Sequence, residues 1–481
     1  MSFTSILLAL DKFSKCTQRS VTMIAEHKSA LLELAKEVQQ LTTKIVNDLA
    51  EKKVPEPSFA IDSDAIPETP EQIDLRARLN DAARDLLRLV NGPRNDARTF
   101  VCYLYDLAAW QVACEFNFFE AIPEDGSATI TEISEKAGMD EDRVGRFLRM
   151  LSSDRVFEEV EPGVFKHTSR SVLYLKDKQW RDVMHYQLDE FFRAASETSE
   201  SIKQSPLVTD GKRNAFVTRH GVDVFGYYKQ DPKRAARFAS AMAGVSRLER
   251  HFDNLKESFP WDKISGRKVI DVGGGSGHMS VNLARTFPNL ELIVQDSLTM
   301  LSSASQNDFS DLNGRVTFMP HDFFTKQPVS GAAAYLLRYI THNWSDEDCI
   351  RIFRALVPAL EKSPPGTPIL INDVVMPALG EASRYQDNRM RQVDIMMMLV
   401  LGAKQRSEEQ FRRLLSDADA RLKIKAIHGK GNMSLIEAYL DTDGAGAAQK
   451  SAADETSVAA SYADELQEDP TLASKRTGSR M

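Results

Sequence analysis

The sequence predicts an α/β protein, in which a doubly wound parallel sheet closes with an antiparallel hairpin and follows an α-helical and winged-helix N-terminal domain. Three observations predict this fold. Residues 268–282, KVIDVGGGSGHMSVN, join a β-branched run to an amphipathic helix through a glycine-rich turn. Short apolar runs and helical patterns then alternate, which is typical of a parallel sheet covered by helices. Upstream, residues 128–171 have the pattern of two short helices followed by a hairpin.

The glycine-rich turn is the first candidate binding site. Gly273, Gly275 and Gly277 alternate as GxGxG and allow the backbone to turn sharply and approach a ligand closely. A dinucleotide fingerprint needs a further glycine three residues after the second, where this chain has His278. Asp296 ends the next predicted strand, LELIVQD, where a carboxylate can hold both hydroxyls of a ribose. The pattern favours an adenosine-containing ligand without a pyrophosphate over a turn that only links strand and helix.

Composition and charge narrow the class of protein. A chain of 481 residues predicts two or three domains, and its net charge of −8 argues against a general nucleic-acid binder. The four cysteines lack metal-ligand spacing and predict reduced core thiols in a reducing compartment. These cysteines are Cys16, Cys102, Cys114 and Cys349. The N-terminus lacks a signal pattern, and the longest uncharged apolar run, Ile395–Ala403, is too short to cross a bilayer. We therefore expect a cytoplasmic protein with no membrane partner and no metal.

The first hundred residues predict helices joined by a linker. Apolar residues recur at spacings of three, four and seven over residues 21–50, which predicts one helix. Four prolines between residues 55 and 70 predict an extended, mobile linker. Helical spacing returns at Glu71–Val90 and is expected to stop at Gly92-Pro93. Thr99–Phe119 is nearly all apolar and predicts a buried or dimer-forming helix.

The segment from residue 128 to 171 predicts a winged helix-turn-helix, with a turn at Gly138 and a hairpin tip at Pro162-Gly163. Such a module suggests DNA binding, and its second helix carries three arginines. However, acidic residues surround that helix and line the wing, whereas a DNA-reading face must be net basic. These acidic residues are Asp140, Glu141, Asp142, Asp154, Glu158, Glu159 and Glu161. The module is therefore expected to be structural, without a nucleic-acid partner.

The remaining elements follow in order. Residues 180–259 predict helices rich in aromatic residues and methionine, which form core or line an aromatic substrate pocket. Strands are predicted at Leu290–Gln295, Arg315–Phe318, Ala333–Tyr339 and Pro368–Val375, and a helix at Asp346–Leu360. The closing hairpin is predicted at Leu422–His428 and Met433–Tyr439, around Gly429-Lys430-Gly431. The last forty residues have almost no large apolar side chains, so we expect them to be disordered.

Candidate catalytic residues lie where predicted strands end, because ligands of such sheets bind there. His342 follows a strand in LLRYITHNWSDED and could take a proton from a phenol or enol that attacks an electrophilic methyl group. The alternative is a histidine that only hydrogen-bonds a loop. Asp373, at the end of ILINDVVMP, is the carboxylate that could fix the tautomer of that base. Asp322 and Phe323 could receive an adenine amine and ring, respectively.

The acidic cluster Asp346, Glu347 and Asp348 could be taken for a metal site. Ser345 is a helix N-cap candidate, and carboxylates in a first helical turn are favoured by the helix dipole. A solvated first turn therefore explains the cluster more simply than a metal.

Six motifs together resemble the S-adenosylmethionine-dependent O-methyltransferases of the plant caffeic acid and fungal polyketide type. The motifs are VIDVGGGSG, IVQD, PHDFF, LRYITHNWSDEDC, LINDVVMP and AKQRS, and the resemblance covers about Thr99–Leu440. It implies a Rossmann-like sheet and a cofactor, S-adenosyl-L-methionine, held at Gly273, Asp296, Asp322, Phe323 and Arg338. It also implies a base at His342, flanked by Asp373 and by the position of Gln405, an acceptor pocket at Met396–Met398, and a homodimer with interlocking N-terminal domains.

The resemblance also implies a division of the chain into segments. We expect a helical N-terminal extension with a Pro-rich linker in residues 1–95, a winged-helix dimerisation domain in 96–178 and a helical substrate-pocket segment in 179–260. The class I methyltransferase domain is expected in residues 261–440 and the disordered tail in 441–481.

Two positions depart from the family pattern. The residue after the base, usually Asp, is Asn343, and the second flanking acid, commonly Glu, is Gln405. Fewer carboxylates around His342 predict a weaker base, which an acceptor phenol acidified by an ortho carbonyl would tolerate. The leading hypothesis is methyl transfer to a hydroxyl of an aromatic or polyketide-type small molecule in secondary metabolism. The alternative is a cyclase, pericyclase or dehydratase that keeps the cofactor, with a cationic Arg338 polarising a carbonyl; a DNA-binding regulator is a third hypothesis.

Overall fold

The computed structural model describes residues 29–245, 251–264, 268–298, 300–301, 309–429 and 431–441. Their contacts divide the chain into two units. The first, which we call the helical unit, comprises the described residues within 1–201, 215–250 and 379–392. The second, the sheet unit, comprises those within 202–214, 251–378 and 393–481.

Two long helices open the helical unit, α1 (Ala30–Glu51) and α2 (Pro70–Glu115). The side chains of Ser29 and Thr69 cap their first turns, and the apolar seam of α1 buries Leu41, Ile45 and Leu49 against α2. The chain breaks at Gly92, whose φ of 68° is incompatible with a helix, and then resumes directly at Pro93. The predicted stop is therefore confirmed, but the next helix begins before residue 99 and ends at Glu115. Residues 21–28 of the first predicted helix lie outside the described residues.

The proline-containing linker is held rather than free, which corrects the expectation of a mobile segment. The carbonyl oxygen of Phe59 accepts a hydrogen bond from the Ser169 backbone N–H at 3.0 Å, and that of Ser58 accepts one from the Ser169 hydroxyl at 2.9 Å. The Arg155 guanidinium lies 4.7 Å from the centre of the Phe59 ring. The linker is thus fixed to the winged-helix region.

The predicted winged helix-turn-helix is present. Its elements are α3 (Phe118–Ala121), β1 (Ser127–Thr129), α4 (Ile130–Ala137), α5 (Glu141–Ser153), β2 (Phe157–Glu161) and β3 (Val164–His167). Gly138 ends α4 in the left-handed conformation, as the turn requires, and β3 lies between β1 and β2. Arg143, Arg146 and Arg149 of α5 pair with Asp140, Asp142 and Glu159, so carboxylates offset the positive charge of this helix.

The rest of the helical unit is built from short helices. They are α6 (Ser169–Lys176), α7 (Lys178–Tyr186), α8 (Phe192–Ala195), α9 (Thr198–Gln204), α10 (Ala215–His220), α11 (Val224–Gln230) and α12 (Pro232–Val245), with a π-helical turn at Gln187–Phe191. α9 begins in this unit and ends in the sheet unit. The π-helical turn carries buried Asp189 and Glu190, which are neutralised by Arg234 and Arg237.

The sheet unit confirms the predicted doubly wound sheet and its closing hairpin. The strands are β4 (Lys268–Val272), β5 (Glu291–Asp296), β6 (Val316–Pro320), β7 (Ala334–Arg338), β8 (Pro368–Met376), β9 (Arg406–Ser407), β10 (Leu422–His428) and β11 (Gly431–Leu440). Their order is β10-β11-β8-β7-β4-β5-β6, with β9 beside β8. The chain order reverses between β4 and β7, which places the ligand crevice of this fold at the ends of those strands.

Helices cover both faces of this sheet. They are α13 (His251–Ser258), α14 (His278–Thr286), α15 (Asp346–Leu360) and a later helix, α17 (Glu408–Ala418). Between α15 and α17 in the chain, α16 (Arg384–Leu401) begins in the helical unit and ends in the sheet unit. Neighbouring strand residues alternate between two cores: Leu336 packs with α14 and Leu337 with α15. A sheet buried on both faces explains why the strands are nearly continuous apolar runs.

Three further expectations can be compared with the structure. Cys114 and Cys349 are buried as predicted, but Cys102 is exposed on α2 and is not a core thiol. Among the described helices, none is long and apolar enough to cross a membrane. The predicted disordered tail beyond Asp441 and the turn residue Lys430 lie outside the described residues.

Candidate active site

The glycine turn follows β4 and is shaped by positions that exclude a side chain. Gly273, Gly275 and Gly277 have φ values of 76°, 58° and 77°, in the left-handed region. A Cβ on Gly273 would lie 2.5 Å from Cδ1 of Ile340, and one on Gly277 would lie 2.8 Å from Cε1 of Phe318. On Gly275 it would meet only the Met300 methyl carbon, at 4.0 Å. Side chains therefore pack closely against Gly273 and Gly277, whereas the described residues leave space beside Gly275.

The predicted cofactor residues converge on this turn. Asp296 ends β5, beside β4, and one of its carboxylate oxygens accepts a hydrogen bond from the Gly275 backbone N–H at 2.9 Å. Phe323 follows β6, and its ring edge lies 3.4 Å from a Cβ built on Gly273. Asp322, its neighbour, has an exposed side chain whose carboxylate accepts the Phe324 backbone N–H at 3.0 Å. A carboxylate at the strand end and an aromatic ring beside an open turn fit an adenosine.

Two charged residues lie beneath the turn. Asp271 in β4 is buried, and its carboxylate accepts the Ser280 hydroxyl at 2.6 Å. Burial raises the pKa of Asp271 to about 6, against the opposing effects of that hydrogen bond and of Arg338. Arg338 ends β7, and burial holds the pKa of its guanidinium below its usual value. Its Nε and Nη2 are buried without a hydrogen-bond partner among the described residues, so this cation can still bind an oxygen of a ligand.

His342 lies in a 3₁₀ turn, Thr341–Asn343, directly after β7, and is 9% exposed. Its Nδ1 is 3.0 Å from Oδ1 of Asp373 in β8. The other oxygen of Asp373 accepts the Thr341 hydroxyl at 2.6 Å and the His342 backbone N–H at 3.1 Å. Burial alone would raise the pKa of Asp373, but the His342 charge and these hydrogen bonds outweigh it and hold the pKa below its usual value.

This geometry fixes the tautomer of the imidazole. An ionised Asp373 can only accept at Nδ1, so Nδ1 carries the proton and Nε2 keeps its lone pair. Nε2 has no hydrogen-bond partner among the described residues. The imidazole is thus arranged as a proton acceptor, with its cation stabilised by the buried carboxylate.

Gln405 is the third member of this group. Its side-chain amide lies 3.3 Å from Nδ1 of His342, and its backbone N–H donates to Asp394 at 2.7 Å. Its Oε1 is buried and has no hydrogen-bond partner among the residues that the structure describes. Because Nδ1 carries a proton, we infer that the amide oxygen faces it, which a half-turn of the amide achieves. Gln405 is then only a second, more distant acceptor for the single Nδ1 proton that Asp373 holds, and it contributes no negative charge.

Sequence reasoning missed two neighbours of His342. Tyr339 adopts a φ of 54°, which is uncommon for an aromatic residue, and its ring stacks on that of His342 at 5.1 Å. Arg406, within AKQRS, is 1% exposed and donates to the loop that carries His342. The side chain of Asn343 donates to the Tyr339 carbonyl oxygen at 2.8 Å.

The acidic cluster at the start of α15 has a specific partner, in addition to the predicted cap. Ser345 caps the helix as expected, through the Asp348 backbone N–H. Asp346, however, is not simply solvated, because it pairs with Lys404 at 2.6 Å and with Arg406 at 2.8 Å. This pairing involves residues sixty positions away, and local sequence reasoning could not detect it.

One group of side chains in the described residues has the spacing of a metal site. Ligand atoms of Glu115, His185 and Asp189, in the helical unit, lie within 4.8 Å of one another. Asp189 already binds Arg234 and Arg237, and their positive charge opposes a further cation. We assign no metal to this group.

A sheet of this order with a glycine turn and a strand-end carboxylate defines the class of nucleoside-binding α/β proteins. The sequence profile of the O-methyltransferase domain matches residues 204–421, and that of the O-methyltransferase dimerisation domain matches residues 100–177. The O-methyltransferase sol2 of Alternaria solani is 44% identical over 86% of this chain and 96% of its own length. A chlorophenol O-methyltransferase of Trichoderma longibrachiatum is 30% identical over 86% and 91%, respectively.

The chain therefore belongs to the O-methyltransferase family of the plant and fungal type, and its cofactor is S-adenosylmethionine. Solved structures share the fold at lower identity. OxaC superimposes with a TM-score of 0.70 at 23% identity, covering 85% of this chain and 99% of its own. A protein described as a pericyclic reaction enzyme superimposes with a TM-score of 0.64 at 23% identity, covering 76% and 94%.

Proposed function

We propose that the enzyme methylates a hydroxyl group of an aromatic or polyketide-type small molecule in secondary metabolism, with His342 as general base. The observation that carries this proposal is the His342–Asp373 pair, which joins the turn after β7 to β8 and leaves Nε2 of the imidazole without a hydrogen-bond partner among the described residues. The relative that acts on chlorophenols supports a phenolic acceptor.

The cofactor supplies an electrophilic methyl group, and the residues around the glycine turn would hold it. We assign the ribose hydroxyls to Asp296 and the adenine to Asp322 and Phe323. The buried Arg338 guanidinium has two nitrogen atoms without a partner in the described part of the chain, and these could bind an oxygen of the cofactor or of the acceptor. The alternating glycines allow the nucleoside to approach the backbone.

His342 takes the acceptor's hydroxyl proton at Nε2, and Asp373 stabilises the resulting cation. General-base assistance of this kind contributes roughly 10²- to 10⁴-fold in rate. Gln405 accepts from Nδ1 without adding charge, so His342 has one carboxylate where two would make it more basic. A phenol acidified by an ortho carbonyl or by chlorine therefore suits this site best.

The test uses labelled S-adenosylmethionine with a panel of chlorophenols, hydroxylated aromatics and phenolic polyketides. We expect label to move to oxygen, and His342→Ala to abolish turnover while S-adenosylhomocysteine still binds. His428→Ala is the matched control, because His428 pairs with Glu437 on the hairpin of β10 and β11 and should not affect turnover. Unchanged turnover in His342→Ala would remove the proposed mechanism.

A ring-forming reaction without methyl transfer is the second candidate. The buried, partly unpartnered Arg338 cation favours it, because such a group can polarise a carbonyl, and so does the loss of one carboxylate at Gln405. The same labelled assay separates the two functions. Methyl transfer moves label to the product, whereas pericyclic or dehydrating chemistry leaves the label in the cofactor and changes only the substrate skeleton.

We also propose that the chain acts as a homodimer through α2. Around the kink at Gly92 this helix exposes large apolar side chains, including Val90 at 64% and Phe100 at 75%. Contiguous apolar surface of this kind marks a protein interface. The dimerisation profile, which begins at residue 100, supports a second copy of this chain as the partner.

A further inference from the structure

Arg406 is a deeply buried cationic side chain beside the candidate active site, at 1% exposed. It belongs to β9, and its guanidinium directs hydrogen bonds at one short stretch of chain. Nη1 donates to the Thr341 carbonyl oxygen at 2.6 Å and Nη2 to the Trp344 carbonyl oxygen at 2.8 Å. Nε donates to Asp346 at 2.9 Å, which compensates the buried charge.

Those two carbonyl groups bracket His342. Within the turn, the Asn343 backbone N–H donates to the Ile340 carbonyl oxygen at 3.0 Å, and the Trp344 backbone N–H donates to the Thr341 carbonyl oxygen at a longer 3.3 Å. Each of the two carbonyl oxygens accepts its shortest hydrogen bond from the charged guanidinium, and such charge-assisted bonds are stronger than those between neutral groups. The turn can therefore not rotate without breaking charge-assisted hydrogen bonds at both of its ends.

Arg406 also connects the turn to the strand that carries Asp373. β9 pairs in parallel with β8, where Arg406 lies opposite Val375, two residues after Asp373. The preceding residue, Gln405, reaches Nδ1 of His342. β9 and the residue just before it thus supply both the neutral neighbour of the imidazole and the cation that fixes the backbone on either side of His342.

We propose that Arg406 is a positioning residue for methyl transfer, which sets the distance of His342 from the acceptor hydroxyl by clamping the Thr341 and Trp344 carbonyl groups. The inference rests on the proposed role of His342 as base. Since a misplacement of about 1 Å at a reacting group costs roughly 10²-fold in rate, loss of the clamp should act on turnover. A lysine cannot replace the clamp, because its single nitrogen lacks the planar fork.

The test compares Arg406→Lys and Asp346→Asn with a matched control, Arg315→Lys. Arg315 also donates to several backbone carbonyl groups of the sheet unit, those of Ala284, Phe287 and Leu290, but none is near His342. Asp346 is 46% exposed, so Asp346→Asn removes the ion pair with little risk to folding. Turnover is measured with the best acceptor of the phenol panel, and affinity with S-adenosylhomocysteine.

We expect Arg406→Lys to lose about 100-fold in kcat, with affinity for S-adenosylhomocysteine changed less than threefold. Asp346→Asn should lose less kcat, again with almost unchanged affinity for S-adenosylhomocysteine. Arg315→Lys should keep both its kcat and its affinity. A loss of cofactor affinity in parallel with kcat would overturn the proposal, because it would indicate general destabilisation. So would wild-type kcat in Arg406→Lys.

A second readout does not depend on the acceptor. The imidazole NMR signal of His342, assigned with His342→Ala, should shift in Arg406→Lys bound to S-adenosylhomocysteine and stay unchanged in Arg315→Lys. If the His342 signal does not move in Arg406→Lys, the proposed role of Arg406 is wrong. His342 can still be the base in that case, provided that His342→Ala is inactive. Normal turnover in His342→Ala, with the signal shifted, means that the base assignment fails.

Discussion

Oδ1 of Asp373 lies 3.0 Å from Nδ1 of His342, and the same carboxylate accepts the backbone N–H of His342 through its other oxygen. One buried side chain thus fixes the ring and the main chain of the residue that we propose as the base. The two residues come from neighbouring parallel strands, β7 and β8, whose ends meet at one edge of the sheet.

Replacing Asp373 by asparagine should remove most of the activity. The amide cannot stabilise an imidazolium, and its NH₂ group can present the wrong donor to Nδ1, so we expect kcat to fall by about 10²-fold or more. The measurement is kcat with the best phenol acceptor, together with S-adenosylhomocysteine affinity. The matched control is Asp419→Asn, since Asp419 only binds Arg421 at the surface of the sheet unit. Equal activity in the two variants would contradict the role given to Asp373.

Restoring a carboxylate at Gln405 should strengthen the base. Gln405→Glu places a negative charge about where the amide now contacts Nδ1, which favours the imidazolium. We expect kcat for unactivated phenols to rise by roughly threefold to tenfold, the effect of up to about one pKa unit in base strength. Chlorophenols, which ionise readily, should gain little. A uniform change across the acceptor series would indicate repositioning instead of a change in base strength.

The glycine turn should be sensitive to a single methyl group at Gly273. Gly273→Ala adds backbone strain and a contact of 2.5 Å with Ile340, so we expect at least about tenfold weaker binding of S-adenosylhomocysteine and a lower Tm. Gly331→Ala is the control, because Gly331 has a similar φ of 73° but open space around its Cβ. Its Tm should fall by less, with affinity unchanged. Calorimetric titration and thermal unfolding test both variants, and equal affinity losses would refute the close-approach argument.

Asp271 should give stability an unusual pH dependence. Its pKa in the folded protein is about 6, above the ordinary 3.8, so the folded state holds a proton that the unfolded state has lost between those values. The resulting stabilisation is complete below pH 4 and is lost as pH rises through 6. We expect the Tm of wild type, relative to that of Asp271→Asn, to decrease from pH 4.5 to 6.5 and then to level off.

Asp311 provides the opposite case as a control. It is exposed, and its hydrogen bond with Arg285 holds its pKa below the ordinary value. The Tm of wild type, relative to that of Asp311→Asn, should therefore not decrease over the same pH range. A flat difference for Asp271→Asn would show that its carboxyl group titrates normally in the folded protein.

Much of the fold is predictable from the sequence, because apolar periodicity and turn-forming residues are features of short stretches of chain. The apolar runs predict the strands of the main sheet, except the two-residue β9, to within one or two residues. Gly138 marks the end of one helix and Ser345 the start of another. The strand-end rule selected His342 and Asp373, which the sheet does bring together.

The remaining features depend on contacts between distant residues. No local pattern indicates that Arg406 binds the Thr341 and Trp344 carbonyl groups, because the sequence does not distinguish a buried arginine from an exposed one. The linker was expected to be mobile because prolines favour extended chain, yet the hydrogen bonds to Ser169 fix it. Likewise, the exposure of Cys102 follows from the position of α2 and not from its apolar neighbours.

The exposed part of α2 gives the last prediction, which concerns assembly. Phe100 is 75% exposed, and a second copy of this chain would bury it. Burying a large apolar side chain contributes about 1.5–3 kcal/mol, and an aspartate there must be desolvated as well, at each of two symmetric positions. We therefore expect Phe100→Asp to raise the dimer Kd at least roughly 100-fold. Sedimentation velocity of the full chain over a concentration series measures this change.

The control for assembly is Leu379→Asp, which changes an even more exposed apolar residue outside α2. Leu379 precedes α16 in the chain and stands fully exposed, with no apolar neighbours in sequence comparable to those around Phe100. This variant should sediment as the wild type does. If Phe100→Asp stayed dimeric at the lowest concentrations, the apolar face of α2 would have to be covered in some other way, and the assignment of the interface would fail while the sheet unit and its active-site geometry were unaffected.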